Sequence, residues 1–387
     1  MSAMGQVESF SKAVIESSEA LSIKYNTIVY EKQRNGEDII ILSLGEAFFD
    51  IPLFSFEPLP HSKIYHYSHS RGIPELRRKL SEYYFQNYNV SSDYESEILV
   101  TAGSKIGIHM SLMCMLNPND EVLIYEPAWV SYTEQVKLCH GIPVHIPYDK
   151  SVFDFEKYIT KRTKIIIINN PNNPTGKTYE KEEMLHLYNL AIKHNLMILS
   201  DEAYSDFTSK DKFFSIGNFD VGKNHSIIIN SMSKNYGMSG WRIGYVISNH
   251  KFISQLLKVN QHLITCPATI LEYYLSHYFN AIIDITIPQI NKLLEIRTQV
   301  KDYMDSISLE HLPGNATFYF FISISGSKLS SDEFAMRLLN EYNVSVVPGI
   351  GYGKSCDQFI RISIGTESLE RIKRGLNTIK ELIVKTS

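Results

Sequence analysis

Residues 231–242 read Ser231-Met232-Ser233-Lys234-Asn235-Tyr236-Gly237-Met238-Ser239-Gly240-Trp241-Arg242, directly after the apolar run Ile227-Ile228-Ile229. A buried strand therefore gives way here to a loop that packs hydroxyls, one lysine and an arginine between glycines. A lysine in such a place can act as an amine nucleophile, and hydroxyls with an arginine suit a phosphate. Together they suggest a phosphorylated aldehyde held as a Schiff base. A solvated loop lysine is the competing reading, so the partners elsewhere in the chain decide.

Working outward, strand, turn and helix alternate from Ile98 onward. Ile98 to Thr101 reads as a strand, Ala102-Gly103-Ser104 as a turn, and Lys105 to Leu116 as a helix. Strands follow at Glu121–Tyr125, Pro143–Ile146, Lys164–Ile168, Leu196–Ser200, Ile227–Asn230 and Ile243–Ile247, with helices to about His140 and over about 181–194. The β-branched run Ile165 to Ile168 marks a strand buried on both faces. Alternation of this kind predicts an α/β domain with a mostly parallel sheet flanked by helices. Polar residues gather just past the strand ends, at Gly103-Ser104, Asn173, Asp201, Tyr204 and Ser231 to Lys234, where open α/β sheets bind ligands.

Outside this region, residues 9–35 read as helix and Asp38–Leu44 as a short strand. Gly72-Ile73-Pro74-Glu75 opens a further helix. Residues 252–305 read as long-period helix, with the stretch near 275–305 as the expected join between domains. Phe318–Ile322 and Val344–Val347 read as strands, Phe359–Ser363 as a strand half-buried in a smaller α+β domain, and Leu369–Val384 as a closing helix. The expected division is 1–50 for an N-terminal arm and part of the small domain, 51–280 for the large domain, and 281–387 for the C-terminal small domain. Both chain ends thus build the smaller unit.

Composition narrows the functional classes. Of 387 residues, 44% are hydrophobic and 21% charged, and the formal net charge is -4. That balance suits a soluble globular protein and leaves no basic footprint for nucleic acid. Cys114, Cys139, Cys266 and Cys356 form no C-x-x-C pair, so no metal is expected and reduced thiols in a cytoplasmic setting are. Met1–Ala20 is polar and lacks a signal-peptide core, and no run of about 18 apolar residues predicts a membrane span.

Several residues are candidates for the site. In Asn170-Pro171-Asn172-Asn173-Pro174-Thr175-Gly176 the prolines and glycine fix a turn in which a side-chain amide can donate at set geometry, although polar filling of a tight turn reads equally well. Asp201 ends an apolar strand and can hold a proton on a ring nitrogen, with Tyr204 near a phenolate oxygen of the same ring; capping of a following helix is the alternative. Gly103-Ser104-Lys105 offers backbone N–H groups and a hydroxyl at a helix start. Trp129 can lie flat on an aromatic cofactor or pack in the core. Arg361, between Ile360 and Ile362, suits a bidentate carboxylate, or else an internal salt bridge.

The set Pro171-Asn172-Asn173-Pro174-Thr175-Gly176, Asp201-x-x-Tyr204, Ser231-x-Ser233-Lys234 and Gly240-Trp241-Arg242-x-Gly244 resembles the class I/II aminotransferases, pyridoxal-phosphate enzymes of fold type I. Leu44-Gly45-Glu46, the Tyr67 to Gly72 run before Pro74-Glu75-Leu76-Arg77, and Val347-Pro348-Gly349 with Arg361 extend the likeness along nearly the whole chain. The resemblance implies that Lys234 carries the aldehyde of pyridoxal 5'-phosphate and shuttles a proton between substrate Cα and the cofactor. It implies that Asp201 keeps the pyridine nitrogen protonated, that Asn173 and Tyr204 bond the ring's 3-oxygen, and that Trp129 stacks on the ring. Gly103, Ser104, Lys105, Ser231, Ser233 and Arg242 would hold the phosphate, with Tyr67 reaching the other subunit's cofactor in a homodimer. Arg361, Asn173 and the Gly45 backbone would grip the substrate α-carboxylate.

An amino group would then pass between an L-amino acid and a 2-oxo acid. A C–S β-lyase or another Cα-carbanion eliminase is the alternative on the same scaffold. A non-catalytic regulator or binding protein fits less well, because the stretch before Gly45 is too short for the DNA-binding domain of the family's regulators and Lys234, Asp201 and Arg361 are all present. One departure stands out: Gly45-Glu46-Ala47-Phe48-Phe49 replaces the frequent Gly-Glu-Pro-Asp-Phe and adds the Phe48 ring near the expected pocket mouth.

Overall fold

The isoleucine run 165–168 is where the packing of the molecule is most easily followed. Its side chains alternate, Ile165 and Ile167 toward one buried cluster and Ile166 and Ile168 toward another. Each such side chain contributes about 1.5–3 kcal/mol when removed from water. Both faces of the sheet are therefore covered. The structure, a computed structural model, describes residues 10–387.

Among these residues the strands are, in chain order, β1 (Ile40–Ile41), β2 (Ile98–Thr101), β3 (Glu121–Tyr125), β4 (Ile142–Ile146), β5 (Thr163–Asn169), β6 (Met197–Asp201), β7 (Ser226–Ser231), β8 (Gly244–Ile247), β9 (Tyr319–Ser323), β10 (Val344–Ser345), β11 (Val347–Pro348) and β12 (Phe359–Ser363). The principal sheet has the order β2-β8-β7-β6-β5-β3-β4. Strands β3 to β7 pair in parallel, and β8 runs antiparallel to both β2 and β7. The helices Ser104–Met115 and His250–Leu263 contribute Ile108 and Phe252 to one face, and Pro74–Tyr88, Lys181–His194 and Thr269–Ser306 contribute Leu80, Leu187 and Tyr274 to the other. The expected α/β sheet flanked by helices is present.

A second core draws on both ends of the chain. Tyr25 and Val29 of the helix Leu21–Arg34 meet Phe320 and Ile322 of β9, Ile360 and Ile362 of β12, and Ile372 and Leu376 of the helix Leu369–Lys385. The long helix Thr269–Ser306 serves both cores. Tyr274 to Ile282 pack under the large sheet, and Ile290 to Met304 pack in the second core, with Pro288 between.

Several local expectations change. The helix expected over 9–35 breaks into Lys12–Ile15 and Leu21–Arg34, separated by the polar run Glu16–Glu19, and its expected start at residue 9 lies outside the described residues. The helix expected over 252–305 divides at Cys266-Pro267 into His250–Leu263 and Thr269–Ser306, because proline restricts the residue before it. The strand expected over 38–44 pairs only at β1. The strand expected over 344–347 changes sheets, β10 pairing with β1 and β11 with β12. β12 is buried throughout rather than on one face, since Ile360 and Ile362 pack in the second core while Phe359 joins a smaller cluster with Phe321 and Tyr352 on the other face.

Candidate active site

Register explains why the polar loops converge. Asn169 ends β5 beside Asp201 at the end of β6, and Ser231 of β7 and Thr101 of β2 both pair with Gly244 of β8. Because β8 runs against its neighbours, its first residues share the sheet edge where β2 and β7 end, and Arg242 arrives there from the opposite direction. A Cβ at Gly244 would run into the backbone of Gly103 and Ser104, so only glycine lets these segments meet. Gly103, at φ +91°, likewise leaves the space that the Arg242 guanidinium fills.

The resulting cavity, about 230 Å³, is lined by Gly45, Ser104, Lys105, Trp129, Asn173, Asp201, Tyr204, Ser231, Ser233, Lys234, Arg242 and Arg361. These are the predicted site residues except Gly103 and Tyr67. Gly103 stands just behind, at the start of a helix whose first turn no side chain caps. Its free N–H groups and positive dipole end suit an anion. Arg242 Nη1 donates to Ser239 O at 2.6 Å and to Ser233 Oγ at 3.4 Å. Tyr67 does not line the cavity of its own chain and is 85% exposed.

Lys234 Nζ donates to the Gly45 carbonyl. Burial is the main cause that brings its amine down to about 8; Glu46 opposes this, and Arg361 and Arg242 add to it. Asp201 is buried, and burial pushes its carboxyl up to about 6 against the hydrogen bonds it accepts. Those come from Tyr132 Oη at 2.6 Å and Ala203 N at 3.2 Å. A turn, not a helix, follows Asp201, so the capping alternative falls away.

Asn169 braces this end of the sheet, donating through Nδ2 to Asp201 O at 2.9 Å and accepting from Asn173 N at 2.6 Å. Asn173 Nδ2 then donates to Tyr204 Oη at 3.2 Å, and Tyr204 Oη meets Tyr319 Oη at 3.0 Å. The Asn173 amide is thus more than turn filling, although its Oδ1 is buried without a partner.

Arg361 is 3% exposed and, among the described residues, pairs with no carboxylate, which removes the internal salt bridge from consideration. It donates to Ser43 O, its Nε is buried without a partner, and its guanidinium lies 4.7 Å from the Tyr319 ring centroid. An unpaired buried cation is costly, so this one is poised for an anion. Trp129 lines the cavity and packs against the adjoining core, with Lys105 Nζ 5.0 Å from its ring centroid.

Sequence reading missed Tyr132, Asn169, Ser239 and Tyr319, and also Ser22 and Asn26, which bring the helix Leu21–Arg34 to the cavity. Asn169 carries a signal in hindsight, since it ends the isoleucine run. Tyr319 shares a face of the β9–β12 pair with Arg361, diagonal to it. Phe48, expected near the mouth, is 67% exposed and lines a neighbouring groove with Leu53 and Trp241. A hydrogen bond from Ser239, which lines both hollows, to Glu46, which lines only the groove, marks the divide. Among the described residues no cluster of metal-ligating side chains occurs, and no helix is long and apolar enough to cross a membrane.

Comparison with known proteins places this geometry. Residues 58–379 match the family "Aminotransferase class I and II". An aspartate aminotransferase of Pyrococcus abyssi is 32% identical over 363 residues, covering 90% of this chain and 92% of that one. A (5-formylfuran-3-yl)methyl phosphate transaminase of Methanocaldococcus jannaschii is 35% identical, covering 91% and 94%. Among solved structures, aspartate aminotransferase from Thermus thermophilus with maleate superposes with a TM-score of 0.88 at 28% identity, covering 97% of this chain and 99% of that one.

Proposed function

The chain belongs to the class I and II aminotransferases, which use pyridoxal phosphate, and from that membership we propose a role for each residue of the cavity. The residues fit the cofactor: a cradle of N–H groups, hydroxyls and Arg242 for a phosphate, a buried carboxylate for a ring nitrogen, and a buried lysine for an aldehyde. When bound, pyridoxal phosphate supplies that aldehyde and a protonated ring that delocalises the electron pair left at Cα. Lys234 would be the amine that holds the aldehyde, and when freed from it would carry a proton between the substrate Cα and the carbon that bore the aldehyde, two bonds away across the nitrogen. An amine brought down to about 8 suits that work, because it gives up and regains a proton near neutrality.

Asp201, steadied by Tyr132, would hold a proton on the ring nitrogen and stay charged beside it despite its burial. Asn173 and Tyr204 donate to the ring oxygen. Trp129 covers the ring and excludes water. Gly103, Ser104, Lys105, Ser231, Ser233 and Arg242 bind the phosphate. Arg361, with Asn173 and the Gly45 backbone, orients the α-carboxylate so that the Cα–H bond faces Lys234.

The reaction is transfer of an amino group from an L-amino acid to a 2-oxo acid. Among substrates, the reading favours a dicarboxylate. The support is that relatives, among them that of Pyrococcus abyssi, are named for aspartate. The active unit is a homodimer, a reading supported by Tyr67, which stands exposed outside its own cavity where a second copy can take it up. The setting is the cytoplasm, in keeping with four free cysteines. The large domain spans 51–280 and the small one 1–50 with 281–387, with the shared helix as their join.

The carrying observation is the convergence of Lys234, Asp201 and an unpaired Arg361 on one cavity. Incubation of the purified protein with amino acids and no acceptor tests it. One stoichiometric conversion of cofactor to its amine form, then turnover on adding 2-oxoglutarate, is expected; sustained release of pyruvate and ammonia would mean elimination instead.

A further inference from the structure

Glu126 is a carboxylate outside the cavity, only 2% exposed, at the end of β3 and three residues before Trp129. It accepts from Lys354 N at 3.1 Å, Ser355 N at 3.0 Å and Ser355 Oγ at 2.5 Å, and lies 3.0 Å from His145 Nδ1 on β4. Burial pushes its carboxyl up, but the donors outweigh this and hold it below its ordinary value. Around it, Ala128 N donates to Tyr352 O at 2.8 Å and Tyr148 N to Ser355 Oγ at 3.3 Å. Gly353, at φ +142°, admits the carboxylate, which any Cβ there would strike.

The Glu126–His145 pair lies within the β3–β4 edge of the large sheet; every other one of these contacts joins that edge to residues 352–355, between β11 and β12 of the second core. The segment so held carries Tyr352, whose buried ring centroid lies 5.7 Å from the Arg361 guanidinium. Arg361 is therefore walled by two tyrosines. Tyr319 comes from the strand beside it, whereas Tyr352 is placed from across the molecule.

We propose that Glu126, with His145 and Ser355, is a positioning residue for substrate-carboxylate binding: it clamps the 352–355 turn to the large sheet and so sets the Tyr352 wall of Arg361 relative to Trp129. This rests on the reading of Arg361 as the carboxylate grip. A buried carboxylate with three donors from one short turn is worth more than packing alone, because each bond to an ionised acceptor is strong and directional.

Glu126→Gln in the full-length holoenzyme tests it, because an amide turns an N–H group toward donors and gives up the charge. KM for both amino acid and 2-oxo acid is expected to rise about tenfold, with kcat within about twofold of wild type. The cofactor dissociation constant stays unchanged, and the Lys354 and Ser355 amides exchange hydrogen faster even without cofactor. A fall in kcat at constant KM, or a lower melting temperature with unaltered KM, overturns the proposal. Should Glu126→Gln not fold, Ser355→Ala removes one donor and is expected to raise KM about threefold, with unchanged KM overturning it. Arg361→Lys measured alongside separates the two readings. If it leaves KM intact, the carboxylate grip itself fails; if it raises KM while the Glu126 variants do not, only the clamp fails.

Discussion

The two ends of the cavity are built differently. At the large sheet, functional side chains sit on loops just past strand ends: Ser104 after β2, Trp129 after β3, Asn173 after β5, Lys234 after β7. At the second core they project from within strands, Tyr319 from β9 and Arg361 from β12. A loop can curl backbone N–H groups around a phosphate, whereas a mid-strand arginine between two rings holds one fixed fork toward a carboxylate. On the proposed reading, the invariant partner, the cofactor, would meet loops from one sheet, and the exchangeable partner, the substrate, would be gripped by a strand of the other core.

Breaking the loop end has the larger effect. Lys234→Ala removes both the amine that holds the cofactor and the proton carrier, so kcat/KM should fall at least about 10⁴-fold in steady-state assays. The pH dependence of cofactor capture sharpens the same point. Below about 8 the Lys234 amine is protonated and unreactive, so stopped-flow capture of pyridoxal phosphate by the apo-protein should rise about tenfold per pH unit from about pH 6 and level near 8. A plateau only near the ordinary lysine value would show that burial does not tune this amine. At the strand end, Arg361→Lys should raise KM for amino acid and oxo acid about 10- to 100-fold while leaving cofactor affinity unchanged by fluorescence titration. Tyr319→Phe, which deletes one hydroxyl contact to Tyr204 but keeps the ring under Arg361, should cost about fivefold in kcat/KM.

Legibility in the sequence follows the same division. Glycines, prolines and polar residues after β-branched runs announce strand-end loops, so Gly103, Asn173, Asp201 and Lys234 could be read from local chemistry. Arg361 was legible because an arginine between isoleucines needs an explanation. Tyr319 was not, since an aromatic in the run Phe318–Phe321 looks like core until the register of β9 on β12 is known. Tyr132 and Glu126 escaped for a related reason: each acts through a partner more than 60 residues away, and nothing nearby in the chain signals it. The break at Cys266-Pro267 is hard to read because Leu263, Ile264, Ile270 and Leu271 keep helical spacing across it, whereas the polar run Glu16–Glu19 does mark the break at 16–20.

The helix Thr269–Ser306 has a consequence of its own. Its 38 residues make a rod of about 57 Å at 1.5 Å per residue. One half is held by Tyr274, Phe279 and Ile282, the other by Ile290, Val300 and Met304. Loss of either core strips the packing from half of a rod whose other half remains fixed, and so passes the disruption on. Calorimetry is therefore expected to show one transition for both cores, and two resolved transitions would mean that the rod does not couple them.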